Sequence, residues 1–166
     1  MKSQRLSDSS ASFDTISASE TTSLGAEIGK CAYPGLAVLL FGSLGMGKTQ
    51  LTQGIGAALG YNNVKSPTFI LVSEHEGQLP LIHVDLYRLE EKDVDSLALE
   101  DYLADGCLLV VEWAERWQPQ PAEDCWKIFF STSETDDCAR NIKIESCGKK
   151  AGEALNKFCS TFGERQ

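Results

Sequence analysis

The stretch GSLGMGKTQ, Gly42 to Gln50, follows a five-residue apolar run, Ala37 to Phe41, and precedes a helical pattern marked by Leu51, Ile55 and Leu59. It fits G-x-x-x-x-G-K-[ST], with Gly42, Gly47, Lys48 and Thr49 at the fixed positions. Glycines let successive backbone N–H groups curl around an anion without a Cβ clash. The helix that begins here points its positive end at the same spot. A lysine at this place reaches the β- and γ-phosphates as a point charge, and the hydroxyl after it serves Mg²⁺. An ordinary turn can match such a pattern by accident. An apolar strand before it and an amphipathic helix after it supply the context that a phosphate loop requires. Gly42, Leu44, Gly45, Met46, Gly47, Lys48, Thr49 and Gln50 are therefore the candidate nucleotide contacts.

The chain has 166 residues, 42% of them hydrophobic, enough for one core. Residues 1–12 are polar and serine-rich and read as a disordered tail, with residues 13–166 as a single domain. A net charge of −9 argues against unaided binding to a nucleic-acid backbone or an anionic membrane, since both need a basic face. The six cysteines form no C-x-x-C and no zinc-like spacing, so reduced thiols are expected. No apolar h-region stands at the N-terminus, and no apolar stretch approaches the ~20 residues that span a bilayer. These features place the chain in the cytoplasm.

Further out from the loop, Ser17-Ala18-Ser19-Glu20 fits a capping box, and Leu24, Ile28 and Cys31 follow on one helix face until Pro34-Gly35. Ala37–Phe41 is too apolar for a half-exposed strand and reads as a central one. Phe69–Ser73 and Leu79–Leu86 form a hairpin around Gly77, Glu91–Leu103 is helical, and Leu108–Val111 is a second buried strand. Trp126–Ser131 and Asn141–Glu145 alternate as another hairpin, and Lys149–Phe158 closes the chain as a helix. The order predicts an α/β fold of the P-loop NTPase type, three-layered, with a mostly parallel central sheet and antiparallel hairpin additions.

A phosphate loop needs a carboxylate at a strand end to complete a Mg²⁺ site. Asp85 ends the apolar run Leu81–Val84, and Glu112 ends Leu108–Val111. Either acid instead caps its strand or pairs with Arg88 or Arg116. Thr68, in Ser66-Pro67-Thr68, lies where nucleotide switches carry a γ-phosphate sensor, though Ser and Pro are also ordinary turn residues. His83 shares a strand face with Asp85 and reads as a packed strand residue. Trp113 and Trp117 read as core or rim packing. The acidic run Glu90–Asp95 reads as a solvated helix start.

Taken together, GSLGMGKT, NVKSPTFILVSE, HVDLYRLE and LVVEWAERW, in this order, resemble the TsaE family, the small ATPase subunit of the bacterial tRNA threonylcarbamoyladenosine machinery. The resemblance covers roughly residues 15–145. It implies that Lys48 and the loop amides bind ATP, that Thr49 and Glu112 hold Mg²⁺, and that Asp85 assists the metal or the attacking water. It makes Thr68 the switch-like residue and Ser19 to Thr21 neighbours of the adenine. It implies partners too: the threonylcarbamoyl-transferase subunit and its inactive paralogue, with tRNA contacted only indirectly. Three loop residues depart from the family's habit: Ser43 replaces an acid, Met46 a small residue, and Gln50 a hydroxyl. A small-molecule kinase and a hydrolysis-deficient nucleotide-dependent scaffold are the alternatives. The former lacks an arginine-rich lid, and the latter is motivated by Ser43 and Gln50.

Overall fold

The computed structural model describes residues 1–67, 70–120, 123–132 and 139–163. Eight strands form one sheet in the order β1-β2-β8-β7-β3-β6-β5-β4. They are β1 (Lys2–Ser7), β2 (Ser10–Thr15), β3 (Ala37–Phe41), β4 (Val72–His75), β5 (Leu81–Asp85), β6 (Leu108–Glu112), β7 (Cys125–Thr132) and β8 (Arg140–Cys147). The four central strands, β7-β3-β6-β5, run parallel. The strands outside them pair antiparallel: β4 on one edge, and β8, β2 and β1 on the other. The helices are α1 (Ala18–Gly29), α2 (Lys48–Ala58), α3 (Glu91–Val94), α4 (Leu99–Ala104) and α5 (Lys149–Gly163).

Alternation along β3 and β6 explains the layers. Val38, Leu40, Leu108 and Val110 enter one core with Leu24, Ile28, Leu51, Ile55 and Leu155 of α1, α2 and α5. Ala37, Leu39, Leu109 and Val111 enter a second core with Val94 and Leu99. Strands buried on both faces have no polar side to show, which is why they read as unbroken apolar runs.

Three expectations are corrected. Residues 1–12 are not a tail: they form β1 and the start of β2. Ala11 and Phe13 alternate inward, and the Phe13 ring lies 5.4 Å from Phe158 and 5.2 Å from Phe162. All six residues of β1 are exposed, so β1 is held by its backbone ladder with β2 rather than by burial. The helix expected over 91–103 is broken by a left-handed Ala98, φ 47°. Val94 and Leu99 both point into the core. Five residues apart on one continuous helix they would lie about 140° from each other, so the chain resets between them. The hairpin of β4 and β5 also starts later than expected, at Val72, and Phe69 lies outside the described residues.

Glycines bring α1 against α2, and that contact fixes where the phosphate loop sits. A Cβ on Gly25 would stand 2.1 Å from the Leu51 carbonyl oxygen, and one on Gly54 would stand 2.0 Å from the Thr22 carbonyl oxygen. Both obstacles are backbone and cannot yield. Gly25→Ala is expected to lower stability by about 2–3 kcal/mol. Gly152→Ala, on α5 with only Ser146 Oγ at 3.8 Å, is expected to leave stability unchanged or raise it by about 0.5–1 kcal/mol. Urea unfolding of the two variants measures the contrast.

Candidate functional site

The loop from Gly42 to Gly47 joins β3 to α2. Gly42 (φ 142°) and Gly47 (φ 100°, the N-cap of α2) adopt backbone conformations that an L side chain resists. Lys48 is the first residue of α2 and is 4% exposed. Its Nζ donates to the carbonyls of Gly42 (2.6 Å) and Ser43 (2.9 Å). It also lies 4.0 Å from the centre of the Trp113 ring. Burial pushes the Lys48 ammonium below the ordinary lysine range, while the carboxylates of Glu112, Glu115 and Asp85 pull the other way.

Strand register brings the acids to this point. Asp85 and Glu112 are paired at the ends of adjacent parallel strands β5 and β6. On β5 the alternation sends Leu81, His83 and Asp85 to the α2 side; on β6 it sends Leu108, Val110 and Glu112 there. Glu112 Oε2 accepts from Thr49 Oγ1 at 3.0 Å, and Glu112 Oε1 contacts His83 Nε2 at 2.9 Å. Asp85 accepts from Ser66 Oγ at 2.9 Å and from the Tyr87 backbone N–H at 3.0 Å. Both carboxylates are nearly buried, Asp85 4% and Glu112 3% exposed.

An open cavity of about 330 Å³ is lined by Gly45, Gly47, Thr49, Asp85, Glu112 and Trp113, with Leu44, Met46, Lys48 and Gln50 also on its wall. A smaller recess of about 110 Å³ adjoins it on the other side of the loop, lined by Ser17, Ala18, Thr21, Met46, Gln50 and Arg140. Ser17 caps α1 by accepting from the Glu20 N–H at 3.2 Å. Glu20 in turn accepts from the Ile16 N–H at 3.0 Å, one residue earlier than a capping box requires. Gln50 accepts from Thr22 Oγ1 at 3.2 Å, so it ties the loop helix to α1.

The sequence-expected residues thus converge: Lys48, Thr49, Asp85 and Glu112 border one cavity. Thr68 lies outside the described residues. Arg116 donates to the Leu89 carbonyl rather than to either acid. The residues read as packing do pack: Trp117 is in the second core, Trp113 lies against it and His83 is fully buried; Trp113 also lines the cavity and His83 contacts Glu112. His83 was visible only as a strand neighbour of Asp85, because its partner sits on a different strand. Trp113 has a left-handed backbone (φ 61°), and its ring faces Lys48 and packs 4.8 Å from Tyr87. A ligand filling this cavity would touch Trp113. Nucleotide is expected to change tryptophan emission, and Trp113→Phe to abolish the change, since Trp117 and Trp126 are buried in the two cores.

The donor set fits a hard divalent cation. Two buried carboxylates beside one ammonium leave the cavity net negative, which opposes a polyphosphate unless a cation comes with it. Among the described residues no group of three or more carboxylates, imidazoles or thiols holds a metal by itself. Mg²⁺ is commonly held in this way, by one or two carboxylates plus the substrate's phosphates.

A family model described as threonylcarbamoyl adenosine biosynthesis protein TsaE matches residues 15–142. The chain belongs to the TsaE family. The tRNA threonylcarbamoyladenosine biosynthesis protein TsaE of Bacillus subtilis is 33% identical over 138 residues, spanning 82% of this chain and 85% of that protein. Its namesake from a Nostoc species is 43% identical over 109 residues, spanning 61% and 67%. The crystal structure of Bacillus subtilis YdiB superposes with a TM-score of 0.79 at 28% identity, over 92% of this chain and 95% of that one. Fold and loop are those of a TsaE-type, nucleotide-binding P-loop protein. No helix among the described residues is long and apolar enough to cross a membrane.

Proposed function

We propose that this chain is a Mg²⁺-dependent ATPase serving tRNA threonylcarbamoyladenosine formation, on the adenosine next to the anticodon. In this reading it acts through ATP-dependent association with the threonylcarbamoyl-transferase subunit and that subunit's inactive paralogue. The observation that carries the ATPase reading is the 3.0 Å bond from Thr49, on the loop helix, to Glu112, at a strand end. It links the two side chains that this reading assigns to Mg²⁺.

The roles are those that the resemblance implies, supported where each residue's surroundings are described. Lys48 exchanges its bonds to the Gly42 and Ser43 carbonyls for the β- and γ-phosphates. The loop amides and the start of α2 bind the remaining phosphate oxygens. Mg²⁺, held by Thr49 and Glu112 and assisted by Asp85, would neutralise charge on the transferring phosphoryl group. Asp85, oriented by Ser66 and the Tyr87 N–H, is the group that positions the attacking water. Thr68 is assigned as the γ-phosphate sensor on resemblance. The recess at Ser17, Ala18 and Thr21 is the base side, and it shares Thr21 with the Ser19–Thr21 segment that the resemblance points to.

The eight-stranded sheet, β1 and β2 included, and its helices work as one domain in the cytoplasm in this reading. A net charge of −9 suits a protein that leaves tRNA contact to its partners. Nucleotide state acts on the partners only through a difference in docking affinity between the ATP and ADP forms. The test is ATP turnover by the protein alone and with the transferase heterodimer. Slow turnover that rises with the heterodimer is the expected result. Turnover indifferent to the heterodimer overturns the partner-coupled reading and leaves the ATPase reading standing.

A further inference from the structure

His83 is fully buried, and its two ring nitrogens have unlike surroundings. Nε2 lies 2.9 Å from Glu112 Oε1, while Nδ1, also buried, has no hydrogen-bond partner among the described residues. A carboxylate accepts hydrogen bonds, so Nε2 carries a proton directed at Glu112. The reverse tautomer would set a lone pair against the carboxylate and bury an unpaired N–H, which is costly. Register makes the contact possible. His83 is opposite Val110 on β6, and Glu112 is two residues further along the same face.

We propose that His83 is a positioning residue for the metal side of the site. By occupying Oε1 it fixes the Glu112 carboxyl plane and leaves Oε2, which accepts from Thr49, as the oxygen that would serve a cation. Without the histidine, Glu112 is free to rotate and to lose its alignment with Thr49. This assignment rests on the proposed Mg²⁺–nucleotide reading of the cavity.

The test compares ATP-analogue affinity in Mg²⁺ with that in EDTA for the wild type and three variants. The side-chain amide of H83Q reaches the Nε2 position, whereas that of H83N reaches only as far as Nδ1, and H83L has no donor. H83N and H83L are expected to lose about tenfold or more of the Mg²⁺ enhancement, a usual cost for outer partners of metal ligands. Their affinity in EDTA should match the wild type, and H83Q should restore the enhancement. Full enhancement in H83N and H83L would overturn the role of His83 alone. No enhancement in the wild type would overturn the metal reading and this proposal with it.

A second readout uses the unaltered protein and stands even if the variants fail to fold. The chain has only two histidines, so ¹⁵N–¹H imidazole correlations are simple to assign. A single Nε2–H tautomer at His83 supports the assignment. An Nδ1–H tautomer, or a mixture of the two, refutes it.

Discussion

Lys48→Ala is expected to weaken ATP binding by about 100-fold. That is about 2.7 kcal/mol, within the range for losing charge-assisted bonds to phosphate. Stability should change far less. The free protein holds this ammonium at 4% exposure against two carbonyls and an indole face. Those contacts are offset by the cost of burying the charge, as the lowered pKa of Lys48 indicates. Calorimetric titration with ATP and thermal unfolding of the free protein separate the two effects. Unchanged affinity would sink the phosphate assignment; a collapse in melting temperature would make Lys48 a structural staple of the loop. The sign of the pH dependence follows too. The phosphate bond needs the charged amine, and the amine's pKa in the free protein lies below the usual lysine value. ATP affinity should therefore begin to fall at a lower alkaline pH than an exposed lysine would give.

The features legible in the sequence are those in which a residue's own neighbours dictate its conformation. The phosphate loop is one: the positive φ at Gly42 and Gly47 is a local demand, and only glycine meets it readily. The doubly buried β3 and β6 are another, because burial on both faces leaves no polar positions to obscure the run. Features that depend on register were hidden. His83 was correctly placed on a face with Asp85, but the contact that matters crosses to Glu112 on β6, and no spacing within β5 reports it. Trp113 packs against the second core as its sequence suggests, but nothing in Glu112-Trp113-Ala114 announces the left-handed backbone that goes with its place beside Lys48. β1 was missed because a polar, exposed edge strand has no apolar period to read. At Ala98 two short helices passed for one, since no Gly or Pro marks the reset and only the inward pull of both Val94 and Leu99 requires it.

Glu112→Gln should be the second severe loss, and it separates charge from shape. Gln keeps the volume of Glu112 and can still accept from His83 with its oxygen while its amide meets Thr49, so the fold should survive. What disappears is one of the two buried negative charges facing the phosphate loop. Mg²⁺-dependent turnover is expected to fall by about 100-fold or more, the usual scale for deleting one preorganised electrostatic group. Binding in EDTA should move the other way and tighten, since a carboxylate near polyphosphate repels it when no cation intervenes. Glu112→Ala goes further, because it strands the His83 N–H and the Thr49 hydroxyl. It should add about 1–3 kcal/mol of destabilisation to the same catalytic defect. Turnover assays with a Mg²⁺ series, nucleotide titrations in EDTA and urea unfolding cover all three quantities. A Gln variant that melts early but hydrolyses ATP normally once folded would make Glu112 a strand-end support and move the metal site to Asp85. Tighter metal-free binding together with a lost response of turnover to the Mg²⁺ series is the pattern expected of a metal-holding carboxylate.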